Sequence, residues 1–187
     1  QTLDDLSIPY VRTREPGGTP MAETLRENML AEWDESVNGL TELFIAFAAR
    51  LQHVQGVIRP ALVSGKWVVC DRFTDASYAY QGYGRGLDLE KIAVLEEWVH
   101  GDMQPDLTLY LDLDPEVAAL RIANRERDRM EQEQMSFFHK VRQGYLARAA
   151  ADARFRTVDA SLPLVDVQRA VCLQVKEFVG LHRQGVI

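Results

Sequence analysis

Lys66-Trp67-Val68-Val69-Cys70-Asp71-Arg72 is a short apolar run that closes on two opposite charges. Trp67 to Cys70 is apolar throughout rather than alternating, the pattern of a parallel strand covered on both faces. Asp71 and Arg72 then fall at its carboxyl end, where open α/β sheets hold their ligands. The same pair also suits a strand-end ion pair or a turn.

Upstream, residues 1–7 read as the last turns of a helix and Ile8 to Thr13 as a strand. Arg14-Glu15-Pro16-Gly17-Gly18-Thr19-Pro20 is a structured turn whose glycines allow close approach of backbone N–H groups to a ligand, or simply join a strand to a helix. Met21 to Ala31 has a helical period and carries Arg26; Glu32 to Gly39 is a loop. In Thr41 to Val63 the residues Leu43, Phe44, Phe47, Leu51, Val54 and Ile58 form a broad apolar stripe, with a kink or restart expected at Pro60. Phe47 and Arg50 are i, i+3 neighbours and share a face, so an aromatic plane lies beside a fork of N–H donors.

Downstream, Phe73 to Gly86 begins helix-compatible, with Thr74 or Asp75 able to cap, and ends glycine-rich. Its Gly82-x-Gly84-x-Gly86 spacing is not a dinucleotide fingerprint, because it follows a helix and lacks the GxGxxG register. Asp88 to His100 is a helix with Ile92, Leu95 and Val99 inward. Leu107 to Leu113 is a second clear strand, and Asp114-Pro115 opens a helix. Arg125, Arg127 and Arg129 alternate with acids, either as a solvated charged loop or as a mobile arginine-bearing lid at about 123–132. Glu131 to Ala151 is a long helix, Arg154 to Asp159 contains the last strand and Leu162 to Leu181 is a final amphipathic helix. Alternating strands and helices predict an α/β fold with a parallel, doubly wound sheet of about four strands.

The chain has 187 residues, the size of one domain, spanning 1–187. Its formal net charge of −7 argues against general binding to nucleic acid or to an anionic membrane. Cys70 and Cys172 lack CxxC spacing and read as reduced thiols, favouring a cytoplasmic setting. No apolar run reaches the roughly 18 residues needed to span a bilayer.

Taken together, Thr13-Arg14-Glu15-Pro16-Gly17-Gly18-Thr19, Phe47-Ala48-Ala49-Arg50, Asp71-Arg72-Phe73-Thr74-Asp75, Ala79-Tyr80-Gln81-Gly82, Pro105-Asp106-Leu107-Thr108-Leu109 and the arginine-rich segment before Glu131-Gln132-Glu133 resemble the bacterial thymidylate kinases, in family order over essentially the whole chain. The resemblance implies a P-loop nucleoside monophosphate kinase fold, a three-layer parallel sheet flanked by helices. It implies transfer of the ATP γ-phosphoryl group to dTMP with Mg2+, in dTTP synthesis for DNA replication. Arg72 would bind the dTMP phosphate and Asp71 the magnesium and its waters. Phe47 would stack on thymine while Arg50 hydrogen-bonds its edge, with Ser77 and Gln81 completing base recognition and Tyr80 beneath the deoxyribose. Arg14, Glu15 and Arg26 would serve the monophosphate side, and Arg125, Arg127 and Arg129 the transferring phosphates. Asp159, Ala160, Ser161 and Leu162 would lie beside adenine. A homodimer through the Leu43–Ile58 helix is also implied. The arginine content fits such chemistry, because phosphoryl transfer needs positioning and charge cancellation more than a nucleophile.

One departure stands out: no GxxxxGK[ST] loop, the element that cradles donor phosphates, occurs in the chain. We expect it, with the first βα unit, in a segment preceding Gln1. The rivals are another nucleoside monophosphate or deoxynucleoside kinase, and a non-catalytic nucleotide-binding scaffold in which the loop is absent.

Overall fold

The structure, a computed structural model, describes residues 1–124 and 126–184. In chain order it runs α1 (Thr2–Asp5), β1 (Tyr10–Arg14), α2 (Pro20–Leu30), α3 (Gly39–His53), a π-helical turn (Val54–Ile58), α4 (Arg59–Val63), β2 (Trp67–Asp71) and α5 (Thr74–Ser77). A second π-helical segment (Tyr78–Gly84) leads to α6 (Leu89–Val99), β3 (Thr108–Asp112), α7 (Pro115–Arg121), α8 (Met135–Ala151), β4 (Phe155–Asp159) and α9 (Leu164–Arg183).

Local chemistry sets the helix starts. Thr19 accepts from the Ala22 N–H with Pro20 in the first turn of α2, Asn38 caps α3, and Asp88 and Asp114 cap α6 and α7. The caps expected from Thr74 or Asp75 do not form: Phe73 occupies the cap position of α5, and the Thr74 hydroxyl and Asp75 carboxylate bond instead to His100 and to Arg148 and Arg154. The break expected at Pro60 comes earlier, as the π-helical turn at Val54–Ile58, and Pro60 sits in the first turn of α4 where its missing N–H costs nothing.

All pairing is parallel, but the described strands form two separate ladders rather than one sheet. β1 pairs with β2 from Tyr10↔Trp67 to Arg14↔Asp71, and β3 with β4 from Thr108↔Phe155 to Asp112↔Asp159. Between the ladders lies a cleft of about 870 Å³, lined by the whole length of β2 and most of β3 together with Tyr145 and Phe178. The cleft explains a second difference. β2 was expected to be covered on both faces, yet no residue of it is fully buried and Val69 is 43% exposed.

The core gathers behind the first ladder. Leu43 and Phe47 of α3 meet Tyr78 and Ile92, and Ala79 meets Met130, Phe137 and Val141. α8 crosses the Tyr78–Gly84 segment so closely that a Cβ at Gly144 would stand 2.9 Å from the Ala79 Cα. The apolar stripe of α3 divides: Leu43, Phe47, Val54 and Ile58 are buried, whereas Phe44 and Leu51 face outward.

Candidate active site

The parallel register brings Arg14 and Asp71 to the same end of the first ladder, and the Glu15 N–H extends the pairing to the Asp71 carbonyl at 2.9 Å. Beyond that end the Glu15–Thr19 turn folds over, with Gly17 and Gly18 at φ +141° and +85°. Glu23 of α2 steadies it, accepting from the Gly18 N–H at 2.9 Å and from Arg14 at 2.7 Å. Arg14 and then the Gly18 N–H thereby hold the Glu23 carboxyl below its ordinary range. Arg26 donates to the Pro16 carbonyl at 3.2 Å. Burial first, then repulsion from Arg14 and Arg72, pulls Arg26 below the usual guanidinium value, so three guanidinium groups share one region with only Arg14 strongly paired. Arg72 stands exposed with its guanidinium 5.0 Å from the Tyr80 ring centroid, and it holds φ +66°, a left-handed conformation rare outside glycine. Non-glycine residues held there are concentrated at functional sites. Among the described residues, the exposed Asp71 carboxylate makes no hydrogen bond or ion pair.

Beneath the turn lies a buried polar chain. Arg50 Nε donates to Glu15 Oε2 at 2.6 Å, and its Nη1 and Nη2 donate to the Ser77 hydroxyl at 3.3 and 3.2 Å. Glu15 Oε1 lies 2.9 Å from His53 Nδ1, and His53 Nε2 lies 2.7 Å from the Thr13 hydroxyl. The Arg50 guanidinium sits between Phe47 at 4.5 Å and Phe73 at 5.5 Å. Glu15, expected to serve the monophosphate side, turns its side chain inward where the turn leaves β1 and faces Arg50 and His53. Phe47, 2% exposed, presents its ring to Arg50 itself.

Arg129, expected in the lid, is tied down. Its Nη1 donates to Glu42 Oε1 at 2.8 Å, and its Nη2 to the Met29 carbonyl at 2.7 Å. Glu42 is fully buried on α3 and also accepts from Arg85, at 2.8 and 3.0 Å, and from Gln81 at 3.3 Å. Arg127 is exposed, and Arg125 lies outside the described residues. On the second ladder, Asp159 accepts from the Ser161 N–H and hydroxyl at 2.8 and 2.6 Å, while Arg121 donates to the Ala160 carbonyl at 2.9 Å. Leu162 is exposed beside them.

Sequence reading missed Glu42, His53, Phe73 and Arg121. Phe73 simply follows Arg72, and His53 shares a helix face with Arg50 at i+3. Glu42 carried no such signal, since its partners lie 39, 43 and 87 residues away.

No group of three or more His, Cys, Asp or Glu able to hold a metal occurs among the described residues. A single exposed carboxylate such as that of Asp71 is compatible with Mg2+, which keeps several waters and takes one or two carboxylates with substrate phosphates. Also among the described residues, no helix is long and apolar enough to cross a membrane.

Guanidinium groups converging past the carboxyl end of a parallel α/β ladder, with a free carboxylate beside them, define a phosphate-handling α/β protein. The family model for thymidylate kinase matches residues 1–171. The thymidylate kinase of Pseudomonas savastanoi pv. phaseolicola is 57% identical over 178 residues, covering 94% of this chain and 85% of the relative. That of Teredinibacter turnerae is 50% identical over 179 residues, covering 95% and 87%. The crystal structure of thymidylate kinase from Ehrlichia chaffeensis superposes with a TM-score of 0.69 at 31% identity, covering 91% of this chain and 80% of that one. The chain belongs to the thymidylate kinase family and has the nucleoside monophosphate kinase fold.

Proposed function

We propose that the protein phosphorylates dTMP to dTDP, taking the γ-phosphoryl group of ATP. The observation that carries this is the gathering of Arg14, Arg26 and Arg72 around the turn whose Glu15 carboxylate holds Arg50, which supports a phosphate site beside a hydrogen-bonding site for a flat base. Arg72, with Arg14 and Arg26, binds the acceptor phosphate, each charge-assisted hydrogen bond contributing about 1.5–3 kcal/mol. The base lies against the Phe47–Arg50 stack, read by Arg50 with Ser77 and Gln81, and Tyr80 supports the sugar. Because a phosphate oxygen attacks, no strong general base is needed; the residues orient the two phosphates in line and cancel charge.

Asp71 is the residue that would hold Mg2+ through its waters, and the ion would supply further charge cancellation at the phosphates. Arg127 serves the transferring phosphates, while Arg129 anchors the lid segment. Asp159, Ala160, Ser161 and Leu162 border the adenine. No residue of the chain provides the donor-phosphate loop. We assign that loop to a first βα unit outside the printed sequence, its strand lying in the cleft between β2 and β3 and joining the two ladders into one three-layer sheet; the width and strand-lined walls of the cleft support this.

The whole then forms a single domain that works in the cytoplasm, supplying dTTP synthesis for DNA replication. Leu40, Phe44 and Leu51 on the outer face of α3, with Val94 and Trp98 on α6, form the surface we propose for a homodimer. A monomer mass independent of concentration would refute the dimer. The deciding assay for the reaction is transfer from ATP to dTMP, with UMP and AMP as controls, on the 187-residue chain and on a longer form carrying a donor-phosphate loop at its N-terminus. Selective activity of the longer form supports both readings; binding of dTMP without turnover by either form would leave a nucleotide-binding scaffold.

A further inference from the structure

We infer that His53 is a positioning residue for base selection: bridging Thr13 and Glu15, it holds the Glu15 carboxylate against Arg50 and so fixes the N–H fork that meets the pyrimidine. The inference rests on the reading of this pocket as a thymine nucleotide site.

His53 is wholly buried, so it touches neither solvent nor nucleotide and acts only through its neighbours. Its Nδ1 lies 2.9 Å from Glu15 Oε1, and a carboxylate paired with a guanidinium can only accept, so Nδ1 carries a proton. In the neutral ring, Nε2 then accepts from the Thr13 hydroxyl 2.7 Å away, and the imidazole is pinned at both ends in one tautomer. The backbone of the turn lies directly over it: a Cβ at Gly18 would stand 2.4 Å from His53 Cδ2.

Glu15 in turn decides where Arg50 points. Of the five guanidinium N–H donors, Nε–H goes to Glu15 and one from each terminal nitrogen goes to Ser77, which leaves two for a ligand. Placed against the C4 edge of the base, donors fixed in direction favour a carbonyl oxygen there, as thymine has. Cytosine presents an amino group there, and donor meets donor. If Glu15 Oε1 loses its partner, the carboxylate can swing away from Nε, and the fork loses its direction. The penalty then falls on the base that used the fork, not on the one it rejected. The turn that carries Glu15 also carries the Pro16 carbonyl bound by Arg26 and the Gly18 N–H bound by Glu23, so His53 supports both ends of the acceptor pocket.

The test measures dissociation constants of dTMP and dCMP by calorimetry, on the protein made from its natural start codon and on H53L, H53Q and T13V. Wild-type protein that does not prefer dTMP to dCMP refutes the thymine-site reading before the variants are considered. Given that preference, H53L should weaken dTMP about tenfold or more, with dCMP changed far less, so that the selectivity ratio narrows about tenfold. H53Q can donate to Glu15 and accept from Thr13, and should recover most of the ratio. T13V keeps the side-chain shape, removes the hydroxyl and should narrow the ratio about two- to threefold. A folded H53L with the wild-type ratio, or one weakened equally for both nucleotides as a merely structural residue would be, overturns the inference. If H53L does not fold, T13V decides: an unchanged ratio overturns it, and a narrowed ratio supports it.

Discussion

Arg129 Nη1 lies 2.8 Å from Glu42 Oε1, joining a segment that reads in the sequence as a solvated loop or a lid to a wholly buried carboxylate on α3. The same carboxylate accepts from Arg85 and Gln81, so one acid gathers three donors from two distant parts of the chain. Removing it strands two guanidinium groups that are themselves largely covered. E42A is expected to lose about 3 kcal/mol of stability in urea unfolding, because breaking a buried pair leaves charge without compensation. E42Q keeps an acceptor without the charge and should fall between the two.

Arg72 combines an expected phosphate contact with a strained backbone. R72A should lower kcat/KM for dTMP by at least about 100-fold, the loss of one or two charge-assisted hydrogen bonds at about 1.5–3 kcal/mol each. R72K should rescue little, since a point charge does not replace a planar fork. R72G should be equally inactive yet more stable than R72A by about 1 kcal/mol, because glycine occupies φ +66° without penalty. Kinetics and thermal melts of the three variants separate the effects.

Gly18 has no room for a side chain. A Cβ there would stand 2.4 Å from His53 Cδ2 and 2.6 Å from the Thr13 hydroxyl, at a φ of +85°. G18A should cost roughly 2 kcal/mol or more and raise the KM for dTMP, as strain and overlap both displace the turn. A melt and a dTMP titration check it; a wild-type Tm would contradict the geometry.

His100 is buried, its Nε2 lies 2.6 Å from the Thr74 hydroxyl and its Nδ1 has no partner among the described residues. Burial, partly opposed by Glu96, lowers its pKa below the ordinary value, so between the folded and unfolded values the unfolded chain binds more protons. Its contribution is therefore constant above the unfolded value near 6.5 and falls as pH drops below it. The Tm of wild-type protein should drop between pH 6.5 and 5 more steeply than that of H100Q. Parallel curves would show that His100 takes no part.

The strands were legible because Trp67–Cys70 and Leu107–Leu113 are dense in apolar residues, and most helix starts because Asp88 and Asp114 stand where caps must stand. The two π-helical segments were not, since one added residue per turn leaves no mark on an apolar stripe; Tyr80 and Gln81 both lie in one of them. The arginines of the acceptor end announced themselves by the turn and strand end that carry them. The supports beneath them did not: nothing in the sequence pairs the Glu15 carboxylate with Arg50, 35 residues away, and Glu42 is an acid within an apolar stripe whose partners come from distant segments.

The walls of the cleft between β2 and β3 have a last consequence. A strand edge recognises its neighbour through repeating amides and carbonyls, which every residue except proline supplies in full. The extended segment that we propose for the cleft could therefore vary widely in composition and still be held. It cannot carry proline at a bonded position, and a slip of one residue would turn its side chains to the wrong face. Substitutions along such a segment should be tolerated by size and polarity, position by position, while insertions and deletions are not.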